Sequence, residues 1–296
     1  MIQDAIQKAA VLIEAMPFIQ AFRGETVVVK FGGSIIDTEE SYADILRDVA
    51  FMEIIGMRPV VVHGGGKAIT RNMKEAGIPA NFLRGLRITD QETVEIVERT
   101  LNQEVNPQVC KVLEQFNAPT VGIRGQDIFK VTKHTETLPD TGETLDWGFV
   151  GVVESVKVDG ILAALDAGKV PVVTPLGRDE EGNIYNINAD EAAGAMAREL
   201  RARKLVFLSD VPGLLRDPSD AKSIISTLTL KEMEALIADG TIAGGMLPKV
   251  SGAVKALKAG IRKTHIIDAG MPHSLLLELF TEEGVGTEIV GADETV

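Results

Sequence analysis

The chain runs Val60-Val61-Val62-His63 into Gly64-Gly65-Gly66 and straight on into Lys67-Ala68-Ile69. An apolar, β-branched run of this kind is a strand, and Ile69 with Met73 four residues later marks one face of a helix. Glycines at the junction let the backbone turn sharply and approach a ligand with no Cβ in the way. The N–H groups that open the next helix have no partner inside it, and the positive end of the helix dipole lies behind them. The stretch therefore reads as an anion site at a strand end. The alternative is a tight strand-to-helix turn that binds nothing.

A second corner of the same kind favours the anion. Thr26-Val27-Val28-Val29-Lys30-Phe31 is another β-branched strand; it ends at Gly32 and Gly33 and carries a lysine near its end. Ligands of open α/β sheets collect beyond the carboxyl ends of the strands, so both corners and the lysine are expected at one edge. Neither corner fits the G-x-x-x-x-G-K-[ST] loop, and G-x-G-x-x-G is absent from the chain. The common triphosphatase and dinucleotide fingerprints are thereby excluded.

With 296 residues the chain suits one large α/β domain or two lobes sharing a sheet. A net charge of −13 opposes binding to nucleic acid or an anionic membrane, and 4% aromatics leaves little for base stacking. An anionic substrate thus needs a local cluster of cations. Cys110 is the one cysteine, which excludes an internal disulfide and a cysteine metal cluster. No signal-like segment or run of ~18 apolar residues is present, and a cytoplasmic protein is expected.

Residues 2 to 16 place Ile2, Ala5, Ile6, Ala9, Leu12, Ile13 and Met16 on one helical stripe that Pro17 disturbs. That helix either docks on its own domain or pairs with a neighbouring subunit. Arg87 stands in Gly85-Leu86-Arg87-Ile88-Thr89, before a helical stretch from Gln91 to Phe116; it reads as a surface charge or as a clamp for a carboxylate. Hairpins are expected between 118 and 158, and Glu181-Gly182-Asn183 reads as a hairpin turn. Asn188 and Glu191 have the spacing of a capping box at the head of an alanine-rich helix. A helix opening near Gly244 carries Lys249 in its first turn, against the dipole, a conflict that a bound anion would remove. Alternating strands and helices imply a central, mainly parallel sheet in an α/β fold.

Six segments, Val28-Val29-Lys30-Phe31-Gly32-Gly33, Val62-His63-Gly64-Gly65-Gly66, Gly85-Leu86-Arg87-Ile88-Thr89, Asn186-Ile187-Asn188-Ala189-Asp190, Leu208-Ser209-Asp210-Val211-Pro212-Gly213 and Gly244-Gly245-Met246-Leu247-Pro248-Lys249-Val250, resemble in order and spacing the amino acid kinase family. The similarity extends from about Thr26 to Val290. It implies a three-layer αβα sandwich. It also implies ATP-dependent phosphorylation of the γ-carboxylate of N-acetyl-L-glutamate in arginine biosynthesis, with Mg²⁺ held mainly by the ATP phosphates. Matching residue by residue, Lys30 and Lys249 would neutralise the transferring phosphoryl group and Asp190 would hold those lysines. Gly65, Gly66, Arg87 and Asn186 would meet the acyl substrate. Gly32, Gly33, Asp210, Val211, Gly213, Leu214, Leu215, Thr241 and Ala243 would form the nucleotide side. A helix over 1–21 would link dimers into a hexamer, a lobe over 22–200 would bind the acyl substrate and dimerise, and a lobe over 201–296 would bind ATP. The N-terminal helix resembles that of arginine-inhibited members, which places Phe18, His265, Glu278 and Gly284 at an L-arginine site. Phe18 replaces the tyrosine common there and lacks its hydroxyl.

Related kinases for aspartate, carbamate or uridylate share the fold, and one acting on N-acetyl-aminoadipate differs only by a methylene in its substrate. A pocket separates such substrates by only ~1–3 kcal/mol. A non-catalytic nucleotide or amino-acid sensor is the reading from another class. The joint presence of Lys30, Asp190 and Lys249 argues against it.

Overall fold

The computed structural model describes residues 2–32, 39–138, 142–217, 220, 223–242, 246–258, 260–281 and 284–291. Helix α1 (Ile2–Phe22) leads into β1 (Thr26–Phe31), α2 (Glu39–Ile54), β2 (Arg58–His63) and α3 (Gly66–Glu75). A hairpin of β3 (Phe82–Leu83) and β4 (Leu86–Arg87) precedes α4 (Gln91–Thr100), which passes through a π-helical turn at Leu101–Val105 into α5 (Asn106–Gln115). Next come β5 (Thr120–Ile123), β6 (Phe129–Thr137), β7 (Thr144–Val156), α6 (Asp159–Asp166), β8 (Val170–Val173), β9 (Leu176–Arg178) and β10 (Ile184–Ile187). The chain continues through α7 (Ala189–Glu199), β11 (Lys204–Ser209), β12 (Thr227–Thr229) and α8 (Leu230–Ala238). It ends with α9 (Met246–Lys258), β13 (Lys263–Asp268), α10 (Ser274–Phe280) and β14 (Thr287–Val290).

The main sheet has the order β12-β14-β13-β11-β1-β2-β8-β5, and its neighbours are parallel except β13 with β14. Its strands are buried on both faces, which is why they read as unbroken apolar runs. Alternate residues serve opposite layers. Val28, Val60, Val62 and Phe207 join Met196 of α7 and Val250 and Ala253 of α9 in one core. Val27, Val29, Val61 and Val206 join Leu46 of α2, Val109 of α5 and Leu275 of α10 in the other. This is the expected sandwich of helices on both faces of a mainly parallel sheet. The sheet passes from the first part of the chain to the last without a break, because β1 pairs with both β2 and β11.

The expected hairpins form a separate layer. β6 and β7 pair antiparallel, β9 and β10 form the hairpin turned at Gly182, and β10 pairs with β7, closing a small four-stranded barrel. The turn residues 139–141 lie outside the described set.

Helix α1 departs from the expected pattern by continuing through Pro17 to Phe22. Proline removes one intrahelical N–H donor, but this stretch lies largely in solvent, where water can satisfy the freed carbonyl. The helix is anchored at its last turn, where Phe22 is buried edge-on against Phe280 at 6.2 Å. Ile2, Ile6, Val11, Leu12 and Ile13 are each more than half exposed. Among the described residues no helix is long and apolar enough to cross a membrane.

Candidate active site

β1 and β2 run in register, so their carboxyl ends bring both glycine corners together. A Cβ on Gly32 would lie 2.9 Å from Gly64 N. The two corners reach this separation only because neither carries a side chain there. Gly64 donates its own N–H to Phe31 O at 2.8 Å, which spends that donor on joining the corners. The N–H groups of Gly65 and Gly66, at the head of α3, have no acceptor among the described residues. Among the described residues, two donors of the triplet, not three, are thus left for a ligand. Gly65 is glycine for reasons of space: its backbone φ of −164° suits any residue, but a Cβ would meet Leu101 Cδ2 at a clashing separation of 2.5 Å.

Across from these corners, Asn188 caps α7 by accepting the Asp190 N–H at 2.8 Å. The capping box expected here does not close, because the Glu191 carboxylate instead accepts the Val153 N–H at 3.1 Å and faces Lys255 at 3.7 Å. Both alternatives satisfy the carboxylate, and the nearby β7 strand supplies a donor that no local spacing reveals. Asp190, one residue earlier, stands 2.7 Å from Lys30 Nζ, both side chains being mostly buried. A Cβ on Gly252 would lie 2.7 Å from Asp190 Cβ, so glycine lets α9 lie directly against the head of α7. Lys249 is three residues before Gly252 in α9. Its backbone is part of that helix, and its side chain lies outside the described set.

Arg87 is buried, at 7% exposed. Its guanidinium donates to Thr70 Oγ1 at 2.9 Å and to Gly66 O at 3.2 Å, and stacks over the Phe82 ring at 4.7 Å. Burial lowers its pKa from the ordinary arginine value, yet arginine keeps its charge in proteins. No carboxylate pairs with it among the described residues. A buried cation held by neutral groups alone is costly, and an anionic ligand would complete it. Thr70 and Phe82, which orient Arg87, carry no sequence signal of their own.

Lys30, Gly32, Gly65, Gly66, Arg87, Asn186 and Asp190 all line one cavity of about 280 Å³. Its lining combines the cations of Lys30 and Arg87, the Gly65 and Gly66 backbone, whose N–H groups have no acceptor among the described residues, and the amide of Asn186. Of the residues expected on the nucleotide side, Gly32 lines this same cavity, whereas Asp210, Val211, Gly213, Leu214 and Leu215 follow β11, and Thr241 follows α8. Leu214 is buried and its N–H donates to Thr287 Oγ1 at 2.8 Å, which fixes the loop to β14. Gly213 has φ +142°, a conformation that only glycine takes without strain. Gly33 and Ala243 lie outside the described residues.

Three of the four residues expected at an effector site also meet. His265 Nδ1 is 2.6 Å from Glu278 Oε1, while Glu278 Oε2 accepts the N–H groups of Val285 and Gly286, next to Gly284. Burial pushes the His265 imidazole down, so it is neutral and donates through Nδ1. Burial alone would raise Glu278, but the hydrogen bonds from His265 and the two N–H groups hold it below the usual carboxylate value. His265 Nε2 is then a buried acceptor with no hydrogen-bond donor, 3.6 Å from Glu288. Glu288 also faces Lys204 at 3.9 Å. Sequence reasoning missed Lys204 and Glu288, which read only as ordinary strand residues. Phe18 is half-buried one turn before Phe22, and it is Phe22 whose ring lies under Arg203 and Lys204, at 5.2 and 5.5 Å.

The model of the amino acid kinase family matches residues 25–268. This chain belongs to the amino acid kinase family. Among relatives, it is 44% identical to acetylglutamate kinase of Akkermansia muciniphila over 96% of both chains. It is 42% identical to acetylglutamate kinase of Heliobacterium modesticaldum over 97% of this chain and 99% of the relative. Among solved structures, N-acetylglutamate synthase from Neisseria gonorrhoeae, complexed with coenzyme A and N-acetyl-glutamate, superposes with a TM-score of 0.82 at 27% identity. That match covers 97% of this chain, which spans 64% of the synthase's length. An isopentenyl phosphate kinase, at 18% identity and a TM-score of 0.61, shares the fold of the family.

Proposed function

We propose that this chain transfers the γ-phosphoryl group of ATP to the side-chain carboxylate of N-acetyl-L-glutamate, in arginine biosynthesis. The observation that carries the reading is one cavity lined by a buried Arg87 that no carboxylate pairs among the described residues, by the Lys30–Asp190 pair, and by Gly65 and Gly66, whose N–H groups have no acceptor among those residues. Arg87 and Asn186 hold the substrate's α-carboxylate and amide, leaving the γ-carboxylate at the glycine corners. That carboxylate, with an ordinary pKa near ~4, is ionised at neutral pH and needs no general base. One of its oxygens attacks the γ-phosphorus, the bond from that phosphorus to the bridging oxygen breaks, and ADP leaves with the electron pair. Charge builds on the transferring oxygens, and positioned cations and N–H donors stabilise it. Lys30 supplies one cation and Lys249 a second, with Asp190 orienting them.

Among the described residues no group of three or more His, Cys, Asp or Glu side chains is arranged to hold a metal ion. We assign Mg²⁺ to the ATP phosphates, where it keeps much of its water and offsets phosphate charge. In this reading residues 22–200 carry the acyl substrate and residues 201–296 the nucleotide.

Trapping the acyl phosphate with hydroxylamine, with N-acetyl-L-glutamate and N-acetyl-L-aminoadipate offered side by side, tests the assignment. The expected result is product from the glutamate derivative, lost in Lys249→Ala. Preference for the longer substrate would move the assignment to lysine synthesis, and no product from either would sink it.

Regulation by L-arginine belongs to the same proposal. Arginine presents a guanidinium, which suits Glu278, Glu288 and the donor-less His265 Nε2, and a carboxylate, which suits Lys204. A second structure of the Neisseria synthase is complexed with L-arginine and superposes with a TM-score of 0.78 at 26% identity. The exposed apolar stripe of α1 is the surface that would join dimers into a hexamer. Millimolar arginine should lower activity by about fivefold or more, a normal range for allosteric coupling. Deleting residues 1–16 should both reduce the mass measured by light scattering to that of a dimer and weaken this response. Unchanged activity across the arginine range would refute the regulatory part alone.

A further inference from the structure

We infer that His63 is a positioning residue for phosphoryl transfer: it locks the Gly64–Gly65 peptide so that the Gly65 N–H points into the cavity. This inference rests on the activity proposed above.

His63 is the last residue of β2 and has no exposed surface. Its Nδ1 lies 2.9 Å from Gly64 O. A carbonyl can only accept, so Nδ1 carries the proton. Its Nε2 lies 3.0 Å from Asn106 Nδ2, and the same Nδ2 is 2.9 Å from Val172 O. Val172 O is also only an acceptor, so the NH₂ end of Asn106 must point this way, one hydrogen to each partner. The donor roles along the chain from Val172 through Asn106 and His63 to Gly64 are thereby fixed by elimination. Burial pushes the imidazole down to about 4, so it remains neutral and Nε2 remains an acceptor at physiological pH.

The consequence falls on the glycine corner. The Gly64–Gly65 peptide is trans, since the described chain contains no cis peptide. Its C=O and N–H therefore point in opposite directions. Holding the carbonyl against the buried imidazole turns the Gly65 N–H away from it, and Gly64, Gly65 and Gly66 all line the cavity. Without that hold, glycine at both positions leaves the peptide free to rotate. The anchor stands at the exit of the π-helical turn. Asn106 follows that turn directly, while Leu101 and Val105 within it lie 2.5 and 3.6 Å from where a Gly65 Cβ would be. An extra residue per turn at this point is a common mark of a functional site.

Two variants and one spectrum test this. In His63→Ala the donor to Gly64 O is gone, and kcat with the acyl substrate should fall about 30-fold, less than the ~10²–10³ lost when an oxyanion donor is removed outright. The KM for ATP should stay within about threefold, as expected for a group acting in the transition state. In His63→Asn the side-chain NH₂ takes the place of Nδ1–H, and most of the lost kcat should return; a residue that merely fills volume would give no such recovery. Full activity in folded His63→Ala, or no recovery in His63→Asn, would overturn the assignment. Should neither variant fold, ¹⁵N spectra of the parent's imidazoles decide: a neutral Nδ1–H ring for His63 supports it and an Nε2–H ring refutes it. These spectra, and a shift of the Gly65 amide on titration with inorganic phosphate, remain readable even where the parent turns over no acyl substrate, which separates failure of this inference from failure of the activity.

Discussion

Lys30→Ala is expected to lower kcat by about 10³-fold or more, with binding of the acyl substrate nearly intact. The side chain is one of two lysines assigned to the phosphoryl group, and it is held 2.7 Å from Asp190 in a cavity wall. Removing it does more than delete a cation. It leaves the Asp190 carboxylate facing the triphosphate with one partner fewer, adding repulsion where charge is already building. Asp190→Asn should cost less, about 10- to 100-fold, because the lysine remains and only its orientation is loosened. The double variant Lys30→Ala/Asp190→Ala should then bind ATP better than Lys30→Ala alone, since groups in direct contact are not additive. Steady-state kinetics with ATP and N-acetyl-L-glutamate, checked by single turnover, measure all three. A Lys30→Ala kcat within tenfold of the parent would remove Lys30 from the chemistry.

Arg87→Ala should act on the other substrate parameter, raising the KM for N-acetyl-L-glutamate about 100-fold or more while kcat changes less than tenfold. A desolvated, hydrogen-bonded charge pair costs ~2–5 kcal/mol when one partner is cut away. Arg87 meets those conditions, being buried and already positioned by Thr70, Gly66 and the Phe82 ring. Arg87→Lys is not expected to rescue binding. An ammonium cannot present two parallel donors to a carboxylate, and its shorter reach leaves Thr70 Oγ1 or the ligand without a partner. Isothermal titration with the acyl substrate in the absence of ATP isolates the effect from turnover. Undiminished binding in Arg87→Ala would place the substrate carboxylate elsewhere in the cavity.

These two expectations were legible in the sequence to different depths. Lys30 before Gly32 announced a cation at a strand end, because β-branched runs stopped by glycine are local patterns that need no tertiary information. Arg87 announced only a choice between surface charge and clamp. Its burial depends on Phe82 and Thr70, whose approach is a matter of packing between separate elements. Asn188 and Glu191 show the opposite failure: the local spacing predicted a capping box, and the Val153 N–H on β7 competed successfully for the carboxylate.

What the amino-acid sequence determined by itself is the class of fold and the edge at which the site must lie. Periodicity, strand composition and glycine stops are set by each residue and its near neighbours, and the two-faced core of β1, β2 and β11 follows from them. Only the tertiary structure decided which backbone donors are free. Gly64 is spent on Phe31, and Gly65 is left available through a hydrogen-bond chain that reaches Val172 by way of Asn106. Likewise His265, Glu278, Lys204 and Glu288 become one polar cluster only once β11, β13, α10 and β14 pack together. Hydrogen-bond donors and charges are read out by distance and direction in space, and spacing along the chain specifies those only within a helix, a strand or a turn.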